Sequence, residues 1–287
     1  MHGCPQECPG CYTHSGAARH HRGSPIADLK VEQPYGAPVL LSGLGALVLK
    51  KSELSILDQH HKDTLQNLLR LHPKTPRSVV YFLAGSLPCS ALIHLRQLSL
   101  FGMVARLKDS LLHEHAVNAL HTKPSSHSWF HGIRDICLQY QLPHPLTMLD
   151  SPLSKEAYKV LVKKHVINYW EIVLRDEAFV LPSLRHFRTG FMSLTTPHPL
   201  FATAGSSPYE VSKASIQSLF LSGRYKTEAL CRFWSQNPAG VCLLPQCMRK
   251  SIVEDVRHIL LDCTSLATVR ENLVRFNYAS LCPFLVT

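Results

Sequence analysis

Charge is scarce in this chain. Asp, Glu, Lys and Arg make up 17% of its 287 residues, below the ~25% of ordinary soluble domains. With 45% apolar residues, that excludes the weakly hydrophobic, highly charged polymer that stays unfolded. Long hydrophobic runs are also lacking. The longest apolar stretch, Ala37–Leu49, is 13 residues and is interrupted by Ser42, Gly43 and Gly45. A bilayer span needs ~20. The first 30 residues hold no apolar segment of the kind a secretory signal requires. The expectation is an intracellular protein, cytoplasmic and nuclear rather than secreted, with no membrane partner and with its cysteines reduced or on a metal. The 19 Pro and 14 Gly follow no period, which excludes a collagen-like rod.

The usual catalytic signatures are missing too. No Gly-rich phosphate loop occurs, and "GLGALV" at Gly43–Val48 lacks the third glycine of a dinucleotide fingerprint. There is no nucleophile-elbow serine. The histidines of "HEHAV" at His113–Val117 are two apart, not the four of a zinc protease helix. No Asp–Asp pair exists to hold the two metals of nucleotidyl transfer. The chain is expected not to be an enzyme and to take no small-molecule substrate. His127 and His131 are four apart and could share a helix face, but a surface pair beside Trp129 is the simpler reading.

What is present is helical pattern, histidine, cysteine and positive charge. The formal net charge is +10, from 30 basic and 20 acidic residues, and the 18 histidines add to it below about pH 6.5. Residues 37–50 are helix-compatible. Ser52 reads as an N-cap with Glu53 in the first turn, opening a helix that runs to about Leu71. "SVVYFLAGSLP" is a short buried strand or helix, and Pro88 a first-turn proline. Helices follow behind Pro88, over residues 110–121, and on a face made by Trp129, Phe130, Ile133, Ile136, Cys137 and Tyr140. The longest stripe is Tyr158, Leu161, Val162, Val166, Tyr169, Ile172, Val173. A Pro-rich loop region precedes a last long helix from Pro208 to about Leu221. The fold class expected is mainly α: an irregular multi-helix body with a small C-terminal Cys-Cys-His-Cys module. The divisions expected are a poorly ordered segment (1–33), a helical region (34–150), a helical linker region (151–235) and the module (236–287).

Ten cysteines are too few for a disulfide scaffold, but five lie after residue 230, where even spacing would put about two. "VCLLPQCMRKSIVEDVRHILLDC" places four residues between Cys242 and Cys247 and four between His258 and Cys263, with ten between the two pairs. Those intervals suit a structural zinc site. Pro245 helps a turn bring two thiolates together; a short helix, Val253–Leu261, would present the other two ligands, with Ile252, Val256, Ile259 and Leu260 covering them. With no open position the Zn²⁺ would be structural. The alternative is four buried core residues, and Cys231 and Cys282 are substitute ligands. Cys4, Cys8, Cys11 and His14 have ligand-like spacing in sequence that offers no fold to hold them; a reactive thiol cluster is the competing reading.

Basic and aromatic residues flank the C-terminal group. Arg224, Tyr225, Lys226, Arg232, Phe233 and Trp234 precede it, and Arg249 and Lys250 lie inside it. Cations that track phosphates beside aromatics that stack on bases would bind RNA or single-stranded nucleic acid; a packed helix with solvated charges is the alternative. Lys155, Lys159 and Lys163 form a separate stripe, read as a solvated helix face or as phosphate contacts.

From about Pro25 to Arg275 the chain resembles the C-terminal, post-polymerase part of reverse transcriptases encoded by non-LTR (LINE-type) retrotransposons. The resemblance is densest at "YGAPVLLSGLGALVL", "TPRSVVYFLAGSLPCSALIHLRQLSLFGM", "SWFHGIRDICLQYQLPHPL", "SGRYKTEALCRFWSQNPAG" and "VEDVRHILLDC". It implies a thumb-and-connection-like helical region over 34–150 and a zinc knuckle held by Cys242, Cys247, His258 and Cys263. It also implies a role for the knuckle in binding the element's RNA during target-primed reverse transcription. The family's endonuclease domain and Asp–Asp polymerase site are not in this sequence. The expected function is thus a non-catalytic fragment that binds zinc and RNA, with the polymerase domain of the same element as a further partner. The alternatives are a zinc-stabilised docking module for that domain, or a decayed fragment without function.

Overall fold

The computed structural model describes Leu29 and residues 41–122, 128–184, 187–202, 207–225, 227–231 and 239–271. The expected disorder of 1–33 and the Cys4, Cys8, Cys11, His14 group therefore lie outside the described residues, Leu29 apart. Among the described residues the chain is helical, without a β-strand; a single antiparallel bridge joins Val241 to Val253. The described residues up to Ser218 belong to one compact unit and those from Leu219 onward to another. The C-terminal unit thus begins before residue 236. No boundary falls at residue 150, because the long helix that follows packs into the core of the first unit. No single helix among the described residues is long and apolar enough to cross a membrane.

The first unit is built around two helices that the sequence makes apolar on nearly every side. They are α2 (Arg77–Ala84), buried from Ser78 to Ala84, and α3 (Cys89–Arg106). In front of them runs α1 (Lys51–Leu68). Its start differs from the Ser52 reading. Lys50 is the N-cap, and the Glu53 carboxylate accepts the Lys50 N–H at 2.8 Å, so the acid reaches back to satisfy a donor that no Ser52 cap serves. Pro88, read as a first-turn proline, is the N-cap of α3 and has no side-chain oxygen to offer. Asp58 of α1 does that work from outside the helix. It accepts the Ser90 N–H at 2.7 Å and the Ser90 hydroxyl at 2.8 Å. Burial raises the carboxyl above its usual range, against the hydrogen bonds of Ser90 and Cys89. Asp58→Ala is expected to destabilise the protein by about 1–2 kcal/mol, as lost caps do; chemical denaturation of wild type beside variant measures it.

The apolar run at 41–50 is not a helix. It makes a turn and one 3-10 turn, Leu44–Ala46, behind Gly43, whose φ of 76° is left-handed. Its carbonyls are satisfied by other helices. Arg96 donates to Leu41 O at 3.1 Å, Gln97 to Leu47 O at 2.9 Å and Trp129 Nε1 to Gly45 O at 3.1 Å. With these partners, the backbone needs no helix of its own, and Leu41, Leu44 and Leu49 pack on Cys89, Leu92 and Ile93.

Three shorter helices, α4 (Leu111–His121), α5 (Trp129–Gln139) and α6 (Pro145–Asp150), pack on one another and on α3. Phe130, Ile133, Ile136, Cys137 and Tyr140 are buried as the stripe on α5 predicts; so is His131, which corrects the surface-pair reading, while His127 lies outside the described residues. The helix α7 (Lys155–Val180) packs along α3 and α2. Its buried residues are Tyr158, Val162, Val166, Trp170, Leu174 and Ala178. This is one ridge of four-residue steps, narrower than the stripe expected; Ile172 is 58% exposed. At its centre Trp170 Nε1 donates to Tyr140 Oη at 3.1 Å, and Tyr140 Oη lies 2.7 Å from His94 Nδ1. Trp can only donate, so the Tyr140 hydroxyl passes its own proton toward a neutral His94. Burial lowers the His94 imidazole to about 4.

The loop-rich stretch expected after α7 returns to the end of α2. His198 N–H donates to Leu83 O at 3.0 Å, and α8 (Pro199–Ala202) follows. Gly85, at φ 60°, ends α2 there, and a Cβ on it would overlap the Thr196 and Pro197 backbone. The last long helix is α9 (Pro208–Leu221), and the division of the chain into two units falls after Ser218.

Candidate metal centre

Among the described residues of the C-terminal unit, the buried hydrophobic cluster is Cys242, Cys247 and Cys263, so its centre is sulfur. Val241 pairs with Val253: Cys242 N–H donates to Ile252 O and Glu254 N–H to Gly240 O, both at 2.8 Å. This pairing closes the loop that carries the first two thiols. Within it, Pro245 starts the single turn α11 (Pro245–Met248), preceded in the unit by α10 (Glu228–Cys231). The turn lifts Cys247 back toward Cys242. Ser251, at φ 49°, reverses the chain.

The second ligand pair is arranged differently from the helix Val253–Leu261 expected from sequence. Val253 is in the bridge, and residues His258–Asp262 form a π-turn in which Cys263 N–H donates to His258 O at 2.7 Å. In a regular α-helix residues five apart point about 140° away from each other. The wider turn brings His258 and Cys263 to one side. Asp255 caps the turn by accepting the His258 N–H at 2.7 Å. The cover is also different. Among the described residues Leu244 and Leu266 pack on the cysteines, rather than Ile252, Val256, Ile259 and Leu260; of these, Ile259 and Leu260 lie in the π-turn, off the α-helical face expected, and Ile252 precedes the bridge.

Cys242, Cys247, His258 and Cys263 are all buried, with their ligand atoms within 4.8 Å of one another. Cys247 Sγ and Cys263 Sγ are 3.5 Å apart. Tetrahedral zinc at 2.3 Å from sulfur would put them about 3.8 Å apart. Among the described residues the buried His258 Nε2 has no hydrogen-bond partner; a buried polar atom of that kind is costly unless something binds it. Four such groups can hold a metal ion. Burial raises Cys247, but hydrogen bonds from the Thr264 hydroxyl, Cys263 and the Ser265 and Thr264 N–H groups outweigh it and bring the thiol down to about 6. Burial pushes Cys242 up to about 12, against the Leu244 backbone and with Cys263 and Glu254 adding to the rise. A metal must therefore displace a proton from Cys242.

Comparison of the chain with protein-family models, with curated proteins and with solved structures gives no match. The site stands on its geometry.

Of the residues read as nucleic-acid contacts, Arg249 and Lys250 are exposed on the turn after α11, between the two ligand pairs. Arg224 and Tyr225 follow α9. Tyr225 stacks on Phe220 at 3.9 Å between ring centroids, so one of its faces is already taken. Burial lowers Arg224 from its usual value, and its buried Nε has no partner among the described residues. Lys226 and Arg232 lie outside the described residues, as do Phe233, Trp234 and Cys282; of Cys231 only the backbone is described. Spacing did not reveal the supporting residues Thr264, Asp255 and Glu254. Glu254 accepts the Glu228 N–H at 3.1 Å and so ties α10 to the hairpin. Asp255, three residues before His258, is the one with a legible signal, since Asp before a turn is a common cap.

Proposed function

We propose that the ion is Zn²⁺ and that the C-terminal unit is a zinc knuckle serving a non-catalytic, nucleic-acid-binding segment of a LINE-type reverse transcriptase. Three thiolates and one imidazole leave no open coordination position, so the metal's role is to fold the unit. What carries the reading is the juxtaposition at the turn 249–250. Burying four ligands forces the chain between the pairs outward, and that chain presents Arg249 and Lys250 to solvent. A metal-pinned loop holds two cations without a helix, in place to meet phosphates of RNA or single-stranded nucleic acid. Arg224 is the third contact, with Lys226 and Arg232 following it in sequence.

The test is binding of a labelled single-stranded RNA to the zinc-loaded full chain over a salt series. Log affinity should fall linearly with log salt. Arg249→Glu with Lys250→Glu should weaken binding about tenfold or more and flatten that line, with zinc content unchanged. Unchanged affinity would overturn the assignment. The docking-module reading is favoured by one observation: Leu243, Met248, Val253, Leu261 and Val269 are about half exposed around the metal group. It is the reading left standing if the unit needs zinc to fold yet binds no RNA.

A further inference from the structure

The first unit carries a cationic surface that the metal centre does not explain. Between Ser151 and Trp170 stand Lys155, Lys159, Lys163 and Lys164, with Glu156 the only acid. All four lysines are exposed, and among the described residues none is in an ion pair. The rest of α7 is arranged otherwise. Arg175 pairs with Glu171 at 3.0 Å, and Glu177 with Arg77 at 2.7 Å. Charge is segregated along one helix: lysines in the first half, and three acids with Arg175 in the second. Helix stability does not account for this. Lys155 sits in the first turn, where the macrodipole disfavours a cation, and four lysines within ten residues repel one another at (i, i+4).

A second element reaches the same place. The helix α7 crosses α3 where Gly102 leaves room for the Tyr158 ring. The Tyr158 hydroxyl donates to Leu98 O at 2.9 Å, which locks the crossing. Four residues past Gly102, at the end of α3, the Arg106 guanidinium lies 6.0 Å over the Tyr158 ring. Tyr158 is next to Lys159 and one turn from Lys155, so Arg106 adds a positioned planar cation beside the lysine row. Lys155, Lys159 and Lys163 recur every four residues, at about 6 Å per step and about 12 Å in all. Three cations in such a row can each meet a phosphate along one strand.

We propose that the first half of α7, with Arg106 of α3, is a docking face for the phosphodiester backbone of nucleic acid, read without regard to sequence. The lysines are point charges on flexible stems, suited to following a polyanion rather than to gripping one group. The buried seam Tyr158, Val162, Val166 lies about 100° round the helix from Lys159 and Lys163, so the helix is anchored along one side while the exposed lysine row beside it is free to be covered. The inference rests on the reading that the chain binds nucleic acid, but at a site independent of zinc.

The experiment uses the zinc-loaded full chain and a labelled 20-nucleotide oligouridylate, read by anisotropy from about 50 to 200 mM salt. Replacing Lys155, Lys159 and Lys163 by Gln should reduce the salt slope by about 2, at about 0.7 per lost phosphate contact. Helicity and zinc content should not change. Glu156→Gln should tighten binding, and Lys213→Gln on α9 should leave the slope as it is. An unchanged slope in the triple variant, with a reduced one in the Arg249/Lys250 variant, overturns this face and leaves the knuckle reading intact. The reverse result upholds the face and overturns the knuckle contacts. Lysine-dependent binding to phosphatidylserine vesicles but not to the oligonucleotide overturns the proposal in favour of a lipid surface, and no binding to either at about 50 mM salt overturns both sites.

Discussion

Chelation should unfold the C-terminal unit and leave the helical unit standing. Without a metal, three thiols and an imidazole are gathered in a centre on which, among the described residues, Leu244 and Leu266 pack. Such a centre has too little apolar surface to offset chain entropy. Structural Zn²⁺ in small modules contributes apparent free energies of about 10–16 kcal/mol near pH 7, more than most domains have in total. Hydrogen exchange after treatment with a strong chelator is the measurement. Amides whose bonds close the site, Cys242, Glu254 and Cys263, should lose protection, while those of α3 and α7 keep theirs. Cys247→Ser and His258→Ala should each reproduce the chelated state and bind less than one zinc per chain. Retained protection at those three amides in metal-free protein would mean that the four residues are ordinary core.

Mild acid should unfold the helical unit. His61, His94 and His198 are all buried, and burial lowers each to about 4; for His61 the nearby His60 adds to the effect. An unfolded histidine takes its proton near 6.5. Between those values the unfolded chain binds more protons than the folded one, so stability is full above about pH 6.5 and falls as pH drops toward 4. The maximum slope is about 1.4 kcal/mol per pH unit for each histidine. The loss is on the order of 2–3 kcal/mol apiece and 6–9 for the three, comparable with the whole stability of a domain. Asp58 works the other way: its raised carboxyl protonates more readily when folded, which offsets a small part of the loss. Because acid also strips zinc from thiolates, the measurement belongs in the Cys247→Ser background: urea unfolding from pH 7 to 5. His94→Gln, which keeps an acceptor for the Tyr140 hydroxyl, should remove one of the three slopes. A pH-independent unfolding midpoint would show that these imidazoles are protonated in place.

Much of this was legible in the sequence, and for a local reason. Helices with strong periodicity, α3, α5 and α7, appear where the apolar spacing puts them, since that spacing and the 3.6-residue turn are the same fact, and α9 appears where its proline start puts it. The Cys-Cys-His-Cys group was legible because ligand spacing is set by how far a short loop can reach. Tertiary structure decided what depends on a partner elsewhere in the chain. The run at 41–50 leaves helix because Arg96, Gln97 and Trp129 take its carbonyls. The helix α3 begins behind a proline because Asp58, thirty residues earlier, caps it. Whether His131 is buried, whether the stripe on α7 is broad or one ridge wide, and whether His258 and Cys263 share a side were likewise set by packing. Each turns on an angle of less than one helical turn. Residue spacing alone leaves such an angle open, and the contacts around it close it.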